Sequence, residues 1–184
     1  PEPFELDLIQ ADVPLAQIAS NIKRSDRRDF SFCLSGPPGT GKSEFARWLA
    51  RELNMEVLFK RASDLLSKWV GETEENIAAA FREAEAQQKM LVFDEADSLI
   101  YSRREARTSW EVSHVNEMLT WMERHPLPFI CTTNLAEKVD DAAFRRFTFK
   151  AVFDYLTPAQ IESAFLRFFG QAAPTHALQI ECLT

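Results

Sequence analysis

The chain has 184 residues, of which 46% are hydrophobic and 27% are charged, proportions that are ordinary for a globular protein with a real core. No apolar run approaches the ~20 residues of a membrane span, no signal peptide is visible, and the three histidines have no metal-ligand spacing. The net charge of −7 argues against a protein whose main surface binds nucleic acid.

Cysteine usage favours a reducing compartment. Cys33, Cys131 and Cys182 lie far apart in the sequence, and two of them sit in apolar segments, so we expect core thiols rather than disulfides. This predicts a cytoplasmic protein. Because the chain begins at Pro1 without an initiator methionine, we also expect a fragment of a longer protein.

The first predicted element is a helix. Pro14 suits the first helical position, and Ile18 and Ile22 continue the apolar side. The basic cluster within residues 23–28 is expected to be a solvated connector, with a nucleic-acid patch as the weaker alternative.

The stretch Gly36–Ser43 matches G-x-x-x-x-G-K-[ST], the phosphate-binding P-loop. Residues 30–35 precede it and form a short apolar run that is typical of a buried strand. An apolar stripe between Phe45 and Leu53 follows with the period of a helix, which Asn54 is expected to end. Strand, loop and helix in this order are the context that the motif requires.

Charge explains these residue types. Gly39 and Gly41 allow the backbone to curl, so that its amide groups form an anion nest, and the helix that follows adds the positive end of its dipole. The ammonium of Lys42 should reach the β- and γ-phosphates, and the hydroxyl of Ser43 should bind Mg²⁺. The residues predicted to contact the nucleotide are Pro38, Gly39, Thr40, Gly41, Lys42, Ser43 and Glu44.

A second strand is predicted over residues 55–60, and a polar loop, Ser67–Glu72, comes after it. A helix follows the loop. Thr73 is expected to be its N-cap, and an inner apolar stripe runs from Ile77 to Ala84.

A third strand ends in acids. Residues 89–93 are mostly apolar and run directly into Asp94 and Glu95, which is a Walker B pattern. In an open parallel sheet the carboxyl ends of the strands share an edge with the P-loop. Asp94 is therefore expected to hold Mg²⁺ through water, and Glu95 to activate the attacking water as general base.

A polar, arginine-rich loop is predicted over residues 101–110, and a helix follows it up to about Glu123. The fourth strand covers residues 127–134 and ends in Asn134. Asn134 is a candidate to bond the γ-phosphate or the attacking water, and a turn-forming asparagine is an equal alternative by spacing alone.

The last predicted elements are a short helix, a strand and a second helix. The short helix, Val139–Phe147, ends in the paired Arg145 and Arg146. Residues 148–153 form the fifth strand, and the second helix runs from a Thr157-Pro158 cap to Gly170.

Taken in order, these motifs resemble the AAA family of the AAA+ ATPases over roughly residues 10–170. Five motifs carry the resemblance: the P-loop, Lys68-Trp69-Val70-Gly71, Asp94-Glu95, Thr133-Asn134 and Arg145-Arg146. The resemblance implies an α/β P-loop domain over residues 1–156, with a parallel five-stranded sheet in the order 5-1-4-3-2 and helices on both faces. It further implies that residues 157–184 begin a truncated helical lid.

The function implied by the resemblance is hydrolysis of ATP with Mg²⁺ by a ring, expected to be a homohexamer, that remodels or unfolds protein substrates through a central pore. Asn134 corresponds to the sensor-1 residue, and Arg145 with Arg146 to the arginine fingers that reach a neighbouring subunit. Lys68, Trp69 and Val70 resemble the first pore loop of the katanin and spastin group, which grips substrate, so Trp69 is expected to be exposed.

Three alternative functions fit the sequence less well. The resemblance places Arg103, Arg104 and Arg107 in a second pore loop, and these three arginines also support the alternative of an AAA+ motor or loader that acts on DNA. A DEAD-type RNA helicase is disfavoured, because its Ser-Ala-Thr motif and second motor domain are missing from the sequence. A scaffold without hydrolysis is disfavoured because Lys42, Asp94, Glu95 and Arg145 are all present.

Overall fold

The computed structural model describes residues 5–103 and 109–174 and contains a central six-stranded sheet with helices on both faces. The strands are β1 (Gln10–Ala11), β2 (Ser31–Ser35), β3 (Val57–Arg61), β4 (Met90–Asp94), β5 (Phe129–Thr133) and β6 (Phe149–Asp154). Their order across the sheet is β1-β6-β2-β5-β4-β3.

The prediction of a five-stranded, fully parallel sheet was wrong in strand count and therefore in the order of the whole sheet. The additional strand is β1, which pairs antiparallel with β6 at one edge through Gln10 with Asp154 and Ala11 with Phe153. Two residues are too few to show an alternating pattern, so the sequence carried no signal for this strand. The five parallel strands alone lie in the order that had been expected.

Helices connect the strands. The bounds are α1 (Leu15–Ser25), α2 (Lys42–Glu52), α3 (Ala62–Leu65), α4 (Glu72–Gln87), α5 (Asp97–Ile100), α6 (Ser109–Arg124), α7 (Asp141–Arg146) and α8 (Pro158–Phe169). Two 3-10 turns, Leu6–Leu8 and Ala136–Lys138, complete the regular structure of the described ranges. None of these helices has both the length and the apolarity needed to cross a membrane.

Alternation along the strands divides the core into two layers. In β4, Met90 and Val92 face α1 and α2, whereas Leu91 and Phe93 face the layer of α4, α5, α6 and α7. Successive strand residues point to opposite faces, so a strand covered by helices on both sides reads as one continuous apolar run. The sheet therefore carries its polar groups at its carboxyl edge, where β4 and β5 end.

The cap of α4 differs from its prediction. The helix begins at Glu72, with Gly71 as N-cap in the left-handed conformation at φ 84°, and Thr73 lies inside the first turn. The buried hydroxyl of Thr73 instead accepts a hydrogen bond from the amide of Ser67 at 2.9 Å. The apolar stripe of α4 was predicted correctly, because Ile77, Ala80, Phe81 and Ala84 are all buried.

The last described helix, α8, has its predicted cap at Thr157, which forms a capping box with Gln160, and its C-cap is Gly170 in the left-handed conformation. It docks on the amino-terminal turn, because the Gln160 side chain donates to the carbonyls of Asp7 and Ile9 at 3.1 Å each. An ion pair between Arg167 and Glu5 adds to this contact.

Cys33 and Cys131 are buried free thiols, as predicted. They are register partners on β2 and β5. Burial raises the pKa of Cys33 to about 12. The pKa of Cys131 is raised well above its usual range, mainly by burial and to a smaller extent by the neighbouring Cys33. Both side chains therefore behave as core hydrophobes. Cys182 lies outside the described residues.

Candidate nucleotide-binding site

The P-loop joins the end of β2 to the first residue of α2. Gly36 has a φ of 133°, and a Cβ at this position would lie 2.1 Å from the carbonyl oxygen of Phe153 on β6, so only glycine fits. Gly41 is the N-cap of α2 at φ 90°. Thr40, predicted to contact the nucleotide, turns its hydroxyl back to the carbonyl of Pro37 at 2.8 Å.

Lys42 is buried at the start of α2 and donates three hydrogen bonds from Nζ. The acceptors are the carbonyl oxygens of Gly36 at 2.7 Å and Pro37 at 2.6 Å, and Oδ1 of Asn134 at 2.9 Å. Burial lowers the pKa of Lys42, and the carboxylates of Asp94, Asp97 and Glu95 oppose that shift. The ammonium thus lies among acids at the end of the loop, where an anionic phosphate would stabilise its charged form.

Two hydroxyls meet one oxygen of Asp94. The hydroxyls of Ser43 and Thr132 each donate to Oδ1 of Asp94 at 2.7 Å. Ser43 comes from α2, Asp94 from the end of β4 and Thr132 from β5, so three elements converge at the carboxyl edge of the sheet. The structure thereby brings together the two residues predicted to hold Mg²⁺, across 51 positions of sequence.

Glu95 follows β4 directly and is exposed. Its backbone has a φ of 53°, in the left-handed region, and its amide donates to the Thr132 hydroxyl at 3.0 Å. Asp97, two residues further along, accepts a hydrogen bond from the Thr133 hydroxyl. The two neighbouring threonines of β5 therefore bond to Glu95, on the turn after β4, and to Asp97, the first residue of α5.

A cavity of about 270 Å³ lies over these groups. Its walls are the P-loop with the first turn of α2, both acids of the Walker B pattern, Thr132 and Asn134. Of the residues predicted to contact the nucleotide, all except Thr40 line it. The structure therefore collects the sequence-predicted residues Lys42, Ser43, Asp94, Glu95 and Asn134 around one space.

The donor set suits Mg²⁺. The Ser43 hydroxyl and the Asp94 carboxylate are hard oxygen ligands. Within residues 5–103 and 109–174 no group of three or more His, Cys, Asp or Glu forms a metal cage. Mg²⁺ commonly takes only one or two protein ligands and completes its shell with water and substrate phosphates. Two protein oxygens beside a phosphate-binding loop fit that pattern.

The two arginines of α7 differ in their contacts. Arg146 donates to Glu123 on α6 through Nε at 2.8 Å and to the carbonyl of Ala142 at 3.0 Å. Arg145 is exposed, and no ion pair or hydrogen bond within the described part of the chain holds it. Neither side chain lines the nucleotide cavity. Of the pair, Arg145 is thus the one whose guanidinium is available to a second molecule.

The loop before α4 presents its predicted residues to solvent. Trp69 is 66% exposed and Val70 is 97% exposed, as expected for Trp69, and the ammonium of Lys68 lies 5.4 Å from the centre of the indole ring. The base of the loop is tied down, because the hydroxyl of Ser67 accepts from the amide of Trp69 at 3.1 Å and also bonds to Glu72.

The guanidinium of Arg103 is bound by side chains of its own chain. Its guanidinium bonds both carboxylate oxygens of Asp140, at 2.9 and 3.2 Å, and also Oδ1 of Asn116. Burial alone would raise the pKa of Asp140, but hydrogen bonds from Arg103 and from the amide of Ala142 lower it overall. Asp140 at the N-cap of α7 thus binds Arg103, and the placement of Arg103 in a second pore loop stays a prediction. Arg104 and Arg107 lie outside the described residues.

Sequence reasoning missed Thr132 and Asp97 as members of the site. The available signal was a pair of threonines at the end of an otherwise apolar strand. Neighbouring parallel strands end at the same edge, so polar side chains at the end of β5 were bound to lie near those at the end of β4.

Comparisons with known proteins agree on the family. The sequence model of the family described as ATPase family associated with various cellular activities (AAA) matches residues 32–155. The matched residues include Gly36–Ser43, Asp94, Glu95, Asn134 and the paired arginines.

Three relatives illustrate the similarity. Protein ORF529 of Acidianus two-tailed virus is 37% identical over 149 residues, which is 73% of this chain and 28% of that protein. Protein CdcH of Halobacterium salinarum is 39% identical over 119 residues, which is 61% of this chain and 16% of that protein. Vacuolar protein sorting-associated protein 4B of Mus musculus is 35% identical over 141 residues, which is 73% of this chain and 32% of that protein. The matched region thus spans at most about a third of the length of these relatives.

A solved structure has the same fold. A chain in the structure of the E. coli MS115-1 HORMA:CdnC:Trip13 complex superposes with a TM-score of 0.68 at 22% identity. The superposition covers 89% of this chain and 61% of that chain.

Proposed function

Because this chain belongs to the AAA family of ATPases, we propose that it hydrolyses ATP with Mg²⁺ in order to remodel, unfold or disassemble protein substrates. In this proposal the active form is a ring, expected to be a homohexamer, and the location is cytoplasmic. Residues 1–156 form the nucleotide-binding domain, and residues from 157 onward begin a helical lid.

The P-loop side of the cavity binds the triphosphate. The Lys42 ammonium exchanges its Asn134 contact for phosphate oxygens, while its bonds to Gly36 and Pro37 keep it at the loop. Ser43 and Asp94 hold Mg²⁺, which offsets the negative charge of the phosphates when bound. The hydrogen bond of 2.7 Å between the Ser43 hydroxyl and Oδ1 of Asp94 supports these roles, because the two oxygen ligands lie next to each other.

Two further residues that line the cavity act on the attacking water. Glu95 lines the cavity and is exposed to it, so its carboxylate accepts the proton of the water as general base. Asn134 lines the same cavity from β5, so its amide orients the γ-phosphate or the water. Proton acceptance and orientation thus come from the ends of two adjacent strands.

Arg145 completes the site of a neighbouring subunit in this proposal. Arg145 is exposed and does not line the cavity of its own subunit. It also lacks a hydrogen-bond or ion-pair partner within the described chain, whereas Arg146 has one. A guanidinium that stabilises the charge of the transferred phosphoryl group in this way is worth about 10³–10⁵ in rate. Hydrolysis then requires assembly.

The exposed Trp69–Val70 tip is the observation that carries substrate remodelling. The indole and the neighbouring valine leave apolar surface at the tip of the loop that is open to contact with another molecule. Two hydrogen bonds of Ser67 fix the base of the loop: its amide donates to the Thr73 hydroxyl, and its hydroxyl accepts from the amide of Trp69. Copies of the tip around a ring would contact an extended polypeptide without needing a particular sequence.

The test is ATP-driven unfolding of a fluorescent test protein by the full-length protein. Trp69→Ala should retain hydrolysis in the absence of substrate and lose unfolding, because only the contact with substrate is removed. Leu166→Ala is the matched control, since Leu166 is a 61% exposed apolar side chain on α8, and it should retain both. Unfolding by Trp69→Ala at the rate of the unmodified protein would sink the proposed role of the loop.

A further inference from the structure

Thr132 makes two hydrogen bonds with one hydroxyl, each to a different Walker B residue. Its Oγ1 donates to Oδ1 of Asp94 at 2.7 Å and accepts from the amide of Glu95 at 3.0 Å. A hydroxyl has one proton, and that proton goes to the carboxylate, so the oxygen lone pairs are what hold the amide. The carbonyl of Thr132 also accepts from the amide of Ala96 at 2.8 Å. One residue of β5 therefore contacts three consecutive residues, the last of β4 and the two that follow it.

Strand register places Thr132 there. The pairing of β4 with β5 sets Leu91 beside Phe129 and Phe93 beside Cys131. The next residue of each strand is then Asp94 on one side and Thr132 on the other. The Thr132 side chain is 2% exposed, so water does not compete for these hydrogen bonds.

The backbone of Glu95 needs this support. Four non-glycine residues of the described chain have a positive φ, and three of them (Asp26, Asn54 and Gln88) follow the end of a helix, where the left-handed conformation is common. Glu95 follows a strand instead. Strained backbone of this kind persists where surrounding contacts hold it, and it is concentrated at functional sites.

We propose that Thr132 is a positioning residue that sets Asp94 and Glu95 relative to each other. This inference rests on the proposed function, in which Asp94 holds Mg²⁺ and Glu95 accepts the proton of water. Through the donated bond, Thr132 orients the Asp94 carboxylate together with Ser43. Through the accepted bond, it keeps the Glu95 backbone in the conformation that directs the side chain to the cavity. The same hydroxyl thereby couples the metal-binding group to the general base.

The test compares Thr132→Val with Thr132→Ser in the full-length protein. Valine keeps the shape of the side chain and suits a strand, but it lacks the hydroxyl, whereas serine keeps the hydroxyl. Partners that orient metal ligands typically contribute 10–100-fold to affinity or activity. We expect Thr132→Val to lower kcat by about 10–100-fold and to raise the Mg²⁺ concentration at half-maximal rate, with KM for ATP nearly unchanged. Thr132→Ser should recover most of both.

Thr148→Val is the matched control. The Thr148 hydroxyl also accepts a backbone amide, that of Ser31 at 3.2 Å, at the opposite end of the sheet. Its loss should leave kcat and the Mg²⁺ dependence as they are. A Thr132→Val protein with the original kcat and Mg²⁺ dependence would overturn the proposal. So would a loss of rate that Thr132→Ser fails to restore, because the methyl group would then be the important part.

A second readout does not depend on hydrolysis. The amide of Glu95 should exchange its hydrogen with solvent faster in Thr132→Val than in the unmodified protein, and at the original rate in Thr132→Ser, as followed by residue-resolved NMR. Unchanged exchange in Thr132→Val would overturn the positioning role. An unmodified protein that fails to hydrolyse ATP would instead refute the proposed function, and the exchange rates would still decide the role of Thr132.

Discussion

The ammonium of Lys42 lies 2.9 Å from Oδ1 of Asn134, and this contact joins the P-loop to the carboxyl end of β5. The other two acceptors of Lys42 are carbonyls of the loop itself. All three ammonium protons are therefore used, and a phosphate oxygen must replace one acceptor. The amide oxygen of Asn134 is the acceptor that a side-chain rotation can release.

This contact predicts different effects on ATP affinity for two substitutions of Asn134. Asn134→Ala should bind ATP with nearly the original affinity, since Lys42 keeps its loop carbonyls, and should lose about 10²-fold in kcat if the amide orients the reacting groups. Asn134→Asp should weaken ATP binding about tenfold or more, because a carboxylate attracts the ammonium and repels phosphate. Fluorescent-nucleotide titration and phosphate release measure the two effects. Equal ATP affinity in both variants would contradict this account of the contact.

Glu95→Gln should separate binding from hydrolysis. The amide has nearly the shape of the carboxylate but does not accept a proton, so the rate should fall by about 10²–10⁴-fold while ATP still binds. Glu85→Gln on the exposed side of α4 is the control and should leave both unchanged. Normal turnover by Glu95→Gln would remove this residue from the mechanism.

Arg145 and Arg146 should differ sharply when each is replaced by alanine. Arg145→Ala should lose about 10³-fold or more in ATPase rate. Arg146→Ala removes an exposed ion pair with Glu123, which is worth about 0.2–1 kcal/mol in stability, and should stay active.

A mixing experiment tests whether Arg145 acts on a neighbour. The Arg145→Ala protein keeps its general base, and the Glu95→Gln protein keeps its arginine, so mixed rings contain some complete interfaces. Combining the two inactive proteins should restore part of the ATPase activity, and the activity per chain of the unmodified protein should rise with its concentration. A rate independent of concentration, with no recovery on mixing, would count against the ring.

His125 predicts how stability depends on pH. Burial lowers its pKa from 6.5 to about 4, and neither ring nitrogen has a hydrogen-bond partner in the described chain. The imidazole packs against the ring of Phe81, at 5.0 Å between centres. Below pH 6.5 the unfolded chain binds a proton at this residue that the folded chain does not. Stability from neutral His125 is therefore present above pH 6.5 and is lost as the pH falls toward 4, by about 3 kcal/mol.

His125→Leu should remove this component. Denaturant unfolding at pH 7.5 and at pH 4 should show a smaller loss of unfolding free energy for the leucine variant than for the unmodified protein, by about 3 kcal/mol. Both proteins share every other titrating group, so the difference isolates the imidazole. If both proteins lost the same unfolding free energy between pH 7.5 and pH 4, His125 would bind its proton equally well in the folded and the unfolded chain.

Local sequence patterns predicted those candidate site residues that lie close together in the sequence. The P-loop and the apolar run before Asp94 combine residue type, spacing and order in short segments, so Lys42, Ser43, Asp94 and Glu95 were found without the structure. Helix bounds were less certain. The N-cap of α4 is Gly71 and not Thr73, because the Thr73 hydroxyl bonds to the preceding loop instead of capping the helix.

The sequence by itself determined the family, the α/β class and the principal residues of the candidate nucleotide site, because each depends on short, consecutive motifs. Only the tertiary structure decided which arginine of α7 is available, where Arg103 binds, and that Thr132 touches both Walker B acids. Each of these contacts joins residues 23 to 38 positions apart. Their geometry depends on strand register and helix packing, and no local pattern of side chains encodes which distant partner a hydrogen-bonding group will meet.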